Sequence, residues 1–203
     1  MNIHDKYRSL SELSASEVEG RDYRRIVVPR LSSFVITAPH GGGIEPGTSE
    51  IASAIAGYDF SLYCFEGLKE DASFSLHITS TRMDEPQGLH LISKTETAVT
   101  IHGVKGAQAI VWVGGRHLEL RRKVIENLRQ AGFQAREDRS DHSGSHPVNI
   151  CNRCKSGKGL QLEISTGLRR EMFAGFRRLE RQSRTSVFRR FVLSLRQVLQ
   201  EAG

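Results

Sequence analysis

Two histidines and two carboxylates stand where hydrolytic metal chemistry would need them. His40 is followed by Gly41-Gly42-Gly43, and Glu45 comes five positions after it. Glycine allows backbone angles that other residues resist, so the chain can double back there and bring His40 and Glu45 to one point. An imidazole with a carboxylate is part of many catalytic zinc sites, which take three protein ligands and leave a position for water. The best third ligand is His102 in Thr100-Ile101-His102-Gly103, where an apolar run again meets a glycine. Glu163, in Leu160-Gln161-Leu162-Glu163-Ile164, is the candidate general base, which would take a proton from that water and pass it to a leaving nitrogen. The plainer alternative is that His40 lines a turn and Glu163 is a strand-edge carboxylate.

Other pairs could bind substrate. Asn152-Arg153 joins an amide to a guanidinium whose fork matches a carboxylate, and Arg82 could serve similarly. Read without context, the pair is a surface loop and Arg82 an exposed charge. A competing metal site is His142, His146, Cys151 and Cys154, spaced His-x3-His-x4-Cys-x2-Cys, which could close around a structural zinc. If it does not, both cysteines are packed or free thiols. Phosphate-cradling GxxxxGK[ST], GxGxxG after a strand, GxSxG and HExxH are all missing, which removes the usual nucleotide-dependent, serine-hydrolase and helix-borne zinc-protease readings.

The elements that must position these groups alternate strand and helix. Strands are expected over Arg25–Ala38, Ser61–Phe65, Leu76–Thr81, Ala98–Ile101, Ala109–Val113, Phe133–Arg136 and Leu160–Ile164. Helices are expected over Glu50–Ala56, capped by Thr48 or Ser49 and closed by Gly57, over Arg116–Gln130, and over Ser186–Glu201. Asp84–Gly88 reads as a loop and Glu137–Gly159 as a long polar segment, a length that usually signals function or disorder. The whole, 1–203, reads as one α/β domain with a mixed sheet flanked by helices, and 1–24 as an N-terminal arm or short helix. His40, His102 and Glu163 all fall at expected strand ends, where α/β sheets gather ligands.

Composition narrows the class. No apolar run approaches the ~18 residues of a membrane span. The N-terminus lacks the apolar stretch of a secretory signal, so cytoplasmic synthesis is expected, with release on cell lysis left open. Three cysteines without a signal argue against a disulfide framework. The net charge of +6, concentrated among arginines of the last third, favours a polyanionic partner or a solvated helical face.

Five blocks then carry a resemblance. They are Ala38–Ala52, His77–Pro86, Thr100–Gly103, Asn149–Arg153 and Gly159–Ser165. Together they resemble the phage and bacillus poly-γ-glutamate hydrolases, some of which have been labelled phage-related replication proteins. The resemblance covers about residues 25 to 200. It implies a fold related to the zinc carboxypeptidases and one zinc on the residues matching His40, Glu45 and His102. It also implies a catalytic glutamate at Glu163 and endo-type cleavage of γ-glutamyl amide bonds. Asn152-Arg153 resembles the carboxylate-binding pair of the wider carboxypeptidase group. The expectation is therefore a monomeric zinc hydrolase with an acidic polymer as partner, no specific nucleic acid and no membrane. Its rivals are a phage replication-associated nucleic-acid-binding protein with a structural zinc, and a family member that only binds the polymer.

Overall fold

The computed structural model describes residues 5–70, 73–140 and 143–203. Seven strands form one mixed sheet. In chain order they are β1 (Tyr23–Val28), β2 (Phe34–Gly42), β3 (Ser61–Gly67), β4 (Thr97–Val104), β5 (Val111–Gly114), β6 (Ala135–Glu137) and β7 (Leu160–Ser165). Across the sheet the order is β1-β3-β2-β4-β7-β5-β6. The central strands β3, β2, β4 and β7 are parallel; β1 runs antiparallel to β3, and β5 antiparallel to β7. The expected α/β class with a mixed sheet flanked by helices is what the chain adopts.

Alternation along the strands divides the sheet into two unlike faces. Phe34 and Ile36 of β2, Val99 and Ile101 of β4, and Leu160, Leu162 and Ile164 of β7 share one face and are buried. Four helices cover it: α2 (Thr48–Ala56), α4 (Leu118–Gln130), α5 (Thr166–Met172) and α6 (Ser186–Ala202). α6 lays Phe188, Phe191, Leu195, Val198 and Leu199 on this core, at about 1.5–3 kcal/mol for each large side chain fully buried. The opposite face is apolar only near β2 and β3, where Val35, Tyr63 and Phe65 pack under α1 (Leu10–Ser14) and α3 (Pro86–Lys94). Towards β4 and β7 it turns polar, with Thr100, His102, Gln161 and Glu163.

Several elements differ from expectation, each for a local reason. Arg25–Ala38 is two strands, because Pro29 cannot donate to a ladder and the chain leaves the sheet over residues 29–33. Leu76–Thr81 is not a strand: a 3-10 turn (Ser73–Leu76) leads into an extended loop. Its backbone is satisfied by side chains instead of a neighbouring strand. The Asp5 carboxylate accepts from Thr79 N at 2.8 Å, and His40 Nε2 lies 2.8 Å from Ile78 O. Asp84–Gly88 is largely the start of α3, with Pro86 in its first turn and Glu85 capping Gln87 N and Gly88 N. Helix α2 follows Gly47, which offers no side-chain cap; Thr48 Oγ1 donates to Glu45 O at 2.9 Å instead. The described part of the long polar segment is ordered around a 3-10 turn, Ile150–Arg153. α5 was not expected at all. Among the described residues no helix is long and apolar enough to cross a membrane.

Candidate metal centre

The site lies at the C-terminal ends of β2, β4 and β7. His40 belongs to β2 itself, in the stretch between Ala38 and Gly41 where the register with β3 shifts. An irregularity of this kind re-aims a side chain, here across the sheet towards β4. Gly42 then turns the chain at φ +66, against Gly67 O, where any Cβ would stand 2.3 Å from that oxygen. The return is closed by Glu45 N donating to His40 O at 2.9 Å, which sets Glu45 directly above His40.

Three donor atoms converge there. His40 Nδ1 is 3.1 Å from Glu45 Oε1 and 3.1 Å from His102 Nδ1, and His102 Nδ1 is 3.6 Å from Glu45 Oε2. Donors bound at ~2.0–2.1 Å around a tetrahedral zinc lie about 3.3 Å apart, so the set fits such an ion. The outer atoms are fixed too. His40 Nε2 faces the Ile78 carbonyl, which can only accept, so the ring proton sits on Nε2 and the Nδ1 lone pair faces the other donors. His102 Nε2 is 3.4 Å from Ser80 Oγ, and Glu45 Oε2 accepts from Gly103 N at 2.8 Å.

Glu163 stands opposite His102 in the β4–β7 register and opposite Trp112 in the β5–β7 register, so it shares the face of both. Gln161 Nε2 donates to its Oε1 at 2.9 Å. Burial raises its pKa to about 7; the nearby His102 opposes this, and the Glu45 and Asp138 charges add to it. Burial works the same way on Glu45, but the two neighbouring histidines outweigh it and hold that carboxyl well below its usual range. The two carboxylates are thereby driven to different protonation behaviour, as acid–base pairs in active sites are.

A residue that sequence reasoning passed over also lines the site. The His77 ring packs on the His40 ring at 4.0 Å between centroids, and His40, Glu45 and His77 can offer ligand atoms within 4.8 Å of one another. His77 Nδ1, however, is held by Asp5 Oδ1 at 2.7 Å, whereas His102 Nδ1 faces both other donors directly. His102 thus faces the other two donors directly, while His77, its Nδ1 taken by Asp5, has only Nε2 to offer the site. Burial and the neighbouring His40 push the His77 pKa down to about 4. Its position inside a segment read as a strand hid it, and no spacing signal links it to Asp5.

Arg169 was visible only as one charge in a basic run. It is buried, and its guanidinium donates to Ile164 O at 3.0 Å, to Pro46 O at 2.6 Å and to Val104 O at 3.3 Å. It thus braces the ends of β4 and β7 against the Glu45 turn.

The remaining expected residues lie elsewhere. Arg82 is exposed, with Nη1 4.0 Å from Asp5 Oδ2, on the rim beside His77. Asn152 is buried and fully committed to backbone: Nδ2 donates to Gly144 O at 2.7 Å and His146 O at 2.9 Å, and Oδ1 accepts from Gly159 N at 3.0 Å. Arg153 donates to Met83 O at 3.1 Å. The competing His/Cys cluster does not assemble among the described residues. Cys151 and Cys154 are buried free thiols, His146 is exposed, and His142 lies outside the described residues. Burial pushes the Cys151 thiol well above its ordinary pKa, the reverse of what a metal-binding thiolate needs.

Comparison with known proteins gives a consistent picture. Residues 7–194 match the family described as poly-gamma-glutamate hydrolase. The fold superposes on a bacteriophage poly-gamma-glutamate hydrolase with a TM-score of 0.95 and 34% identity, covering 98% of each chain. It superposes on a zinc-free structure of YndL with a TM-score of 0.94 and 34% identity, covering 98% of this chain and 99% of that one. The SPbeta prophage-derived protein YoqZ of Bacillus subtilis (strain 168) is 41% identical over 174 residues, which span 85% of this chain and 63% of YoqZ.

Proposed function

The chain belongs to the poly-gamma-glutamate hydrolase family, and on that premise we propose that it is a zinc-dependent hydrolase of the γ-glutamyl amide bonds of poly-γ-glutamate. The observation that carries this reading is the convergence of His40 Nδ1, His102 Nδ1 and the Glu45 carboxylate within 3.1–3.6 Å, with Glu163 on the adjoining strand. His40, Glu45 and His102 would hold the ion. When bound, zinc polarises a carbonyl and lowers the pKa of a coordinated water.

The chain's own groups supply the rest. Glu163 takes the proton of the attacking water on a carboxylate oxygen and returns it to the leaving nitrogen. Its pKa of about 7, raised by burial, suits a group that must both accept and donate near neutral pH. Ile78 O and Ser80 Oγ keep both imidazoles turned with Nδ1 inward. With Asn152 committed to the backbone, it holds the loop, and the uncommitted donors of Arg153 are left to read a substrate carboxylate. Arg82, on the rim, is placed for a second carboxylate. The partner is then an acidic polymer, met by a monomeric protein. The nucleic-acid reading is weakened, because its zinc cluster is split between buried thiols and an exposed imidazole.

The test is depolymerisation of purified poly-γ-glutamate, read as chain length on a gel, with chelator and with zinc restored. Shortening should stop with chelator and return with zinc. Glu163→Gln should keep one zinc per chain and lose about 10²–10⁴-fold in turnover, the usual contribution of a positioned acid–base group. No shortening with zinc bound would reopen the substrate; no shortening and no zinc would sink the proposal.

A further inference from the structure

The residues after β7 form a clasp on the turn that carries His40 and Glu45. Beyond α5 the chain returns on itself: Phe173 bridges Arg184, Ala174 N donates to Ser183 O at 3.0 Å, and Thr185 N donates to Met172 O at 3.1 Å. The buried Arg181 fastens the tip of this hairpin, donating to Glu50 Oε1 at 2.7 Å and to Gly42 O at 3.3 Å, two residues beyond His40. At the base, the Phe173 ring fills the space beside Gly47, 2.7 Å from where a Cβ would stand. The hairpin is thus held rigidly against the candidate metal centre.

The other arginines of this stretch face solvent. Arg170, Arg177, Arg178 and Arg184 are exposed, and none makes an ion pair among the described residues. The carboxylates of 166–185 are Glu171 and Glu180, and Glu180 is turned onto the backbone N of Arg177 at 2.9 Å. The first strand's cations are arranged differently. Arg21 pairs with Asp22, Arg24 with Glu66, and Arg25 with Glu19 and Glu85. Positive charge on the hairpin is therefore left uncompensated, while that on and beside β1 is paired. Two of the free guanidiniums are pre-ordered on rings: Arg170 lies 5.7 Å from the Phe176 centroid and Arg184 4.9 Å from that of Phe188. A stacked guanidinium loses less freedom on binding and still presents its N–H edge to a carboxylate.

We propose that this hairpin is a docking rail for a polycarboxylate, holding through Arg170, Arg177, Arg178 and Arg184 the stretch of poly-γ-glutamate that extends past the candidate metal centre. The inference rests on the hydrolase reading and adds a second place of contact to it. The polymer carries one carboxylate per residue, so one chain engages several guanidiniums at once, and each contact raises the effective concentration for the next. Single-stranded nucleic acid would need open aromatic platforms. Here Phe176 and Phe188 already lie under arginines.

The test is the double variant Arg177→Glu/Arg178→Glu, with its thermal midpoint checked against the native chain. Two quantities are read: the ratio of kcat/KM on long polymer to that on a short γ-glutamyl oligomer, and the binding of labelled polymer to the Glu163→Gln chain with and without the double change, in rising NaCl. The ratio and the affinity should each fall about tenfold, with a flatter salt dependence. An unchanged ratio with unchanged binding overturns the rail, as does an equal loss on both substrates. Preference for single-stranded DNA of equal charge, lost in the variant, would reassign the surface to nucleic acid and overturn it too. If the native chain cuts neither substrate, the hydrolase reading fails while the binding arm still decides the rail.

Discussion

Two clusters of potential metal ligands were spelled in this chain, and the fold treats them in opposite ways. His40, Glu45 and His102 come from two distant segments and meet within 3.1–3.6 Å. His146, Cys151 and Cys154 are close neighbours in sequence and part company, the imidazole to solvent and the thiols to the interior. The first set sits at the ends of adjacent parallel strands, where the sheet sets the separation. The second lies on a loop whose 3-10 turn is organised by Asn149 and Asn152 hydrogen bonds to backbone. Proximity in sequence is thus a poor guide to coordination unless the backbone between the ligands is free to wrap an ion. Here that backbone is already committed.

The contrast can be broken at several points. The largest effect is expected from His40→Ala. Zinc affinity, measured by competition with a chromogenic chelator, should drop by more than the ~10–100-fold typical of losing an outer-shell partner. A variant that still bound zinc at the native affinity would end the assignment. Asn152→Ala comes next: it leaves Gly159 N without its partner and takes one of two bonds each from Gly144 O and His146 O, which should cost about 2 kcal/mol in chemical denaturation. Its zinc content should stay native, since the loop holds no ligand of the centre.

Cys151→Ala and Cys154→Ala should each cost about 1 kcal/mol from lost packing, with one zinc per chain retained. Loss of zinc there would restore the cluster we set aside. The smallest effect is a pH dependence at Asp5. Burial alone would raise this carboxyl, but hydrogen bonds from Thr79 and His77 hold it below its ordinary value. A depressed pKa gives stability that is present above the unfolded value, about 3.9, and is lost as pH falls through the folded one. The stability difference between native and Asp5→Asn should therefore be full at pH 5 and shrink towards pH 2.5; a difference that is flat across that range would refute it.

Much of this was legible beforehand because it was written in local terms. β4 and β7 follow from alternation, and alternation also puts His102 and Glu163 on the face opposite the apolar core. The Gly41-Gly42-Gly43 run announced the turn that returns Glu45 to His40. What stayed hidden depends on partners far along the chain. Leu76–Thr81 alternates like a strand, yet its hydrogen bonds go to Asp5 and His40, which nothing in the segment itself could show. The start of α3 was spelled by Glu85 and Pro86, but Gly88 made the stretch read as a turn. Arg169 was indistinguishable from the surface arginines near it until its three carbonyl partners were in place. Asn152 reads as half of a carboxylate clamp with Arg153, because nothing local announces its three backbone partners.

Arg169 also bears on the order in which the centre is assembled. Its guanidinium closes on Pro46 O, 123 positions earlier in the chain. Glu163 reaches His102 only after β7 has inserted between β4 and β5. Contacts of such long range form late. On the ribosome, the nascent polypeptide therefore displays the Gly-rich turn long before the strand that completes the centre has emerged. Fragments released by premature termination before residue 160 would carry His40, Glu45 and His102 without Glu163 or the brace of Arg169. The centre is thus complete only once β7 is in place between β4 and β5.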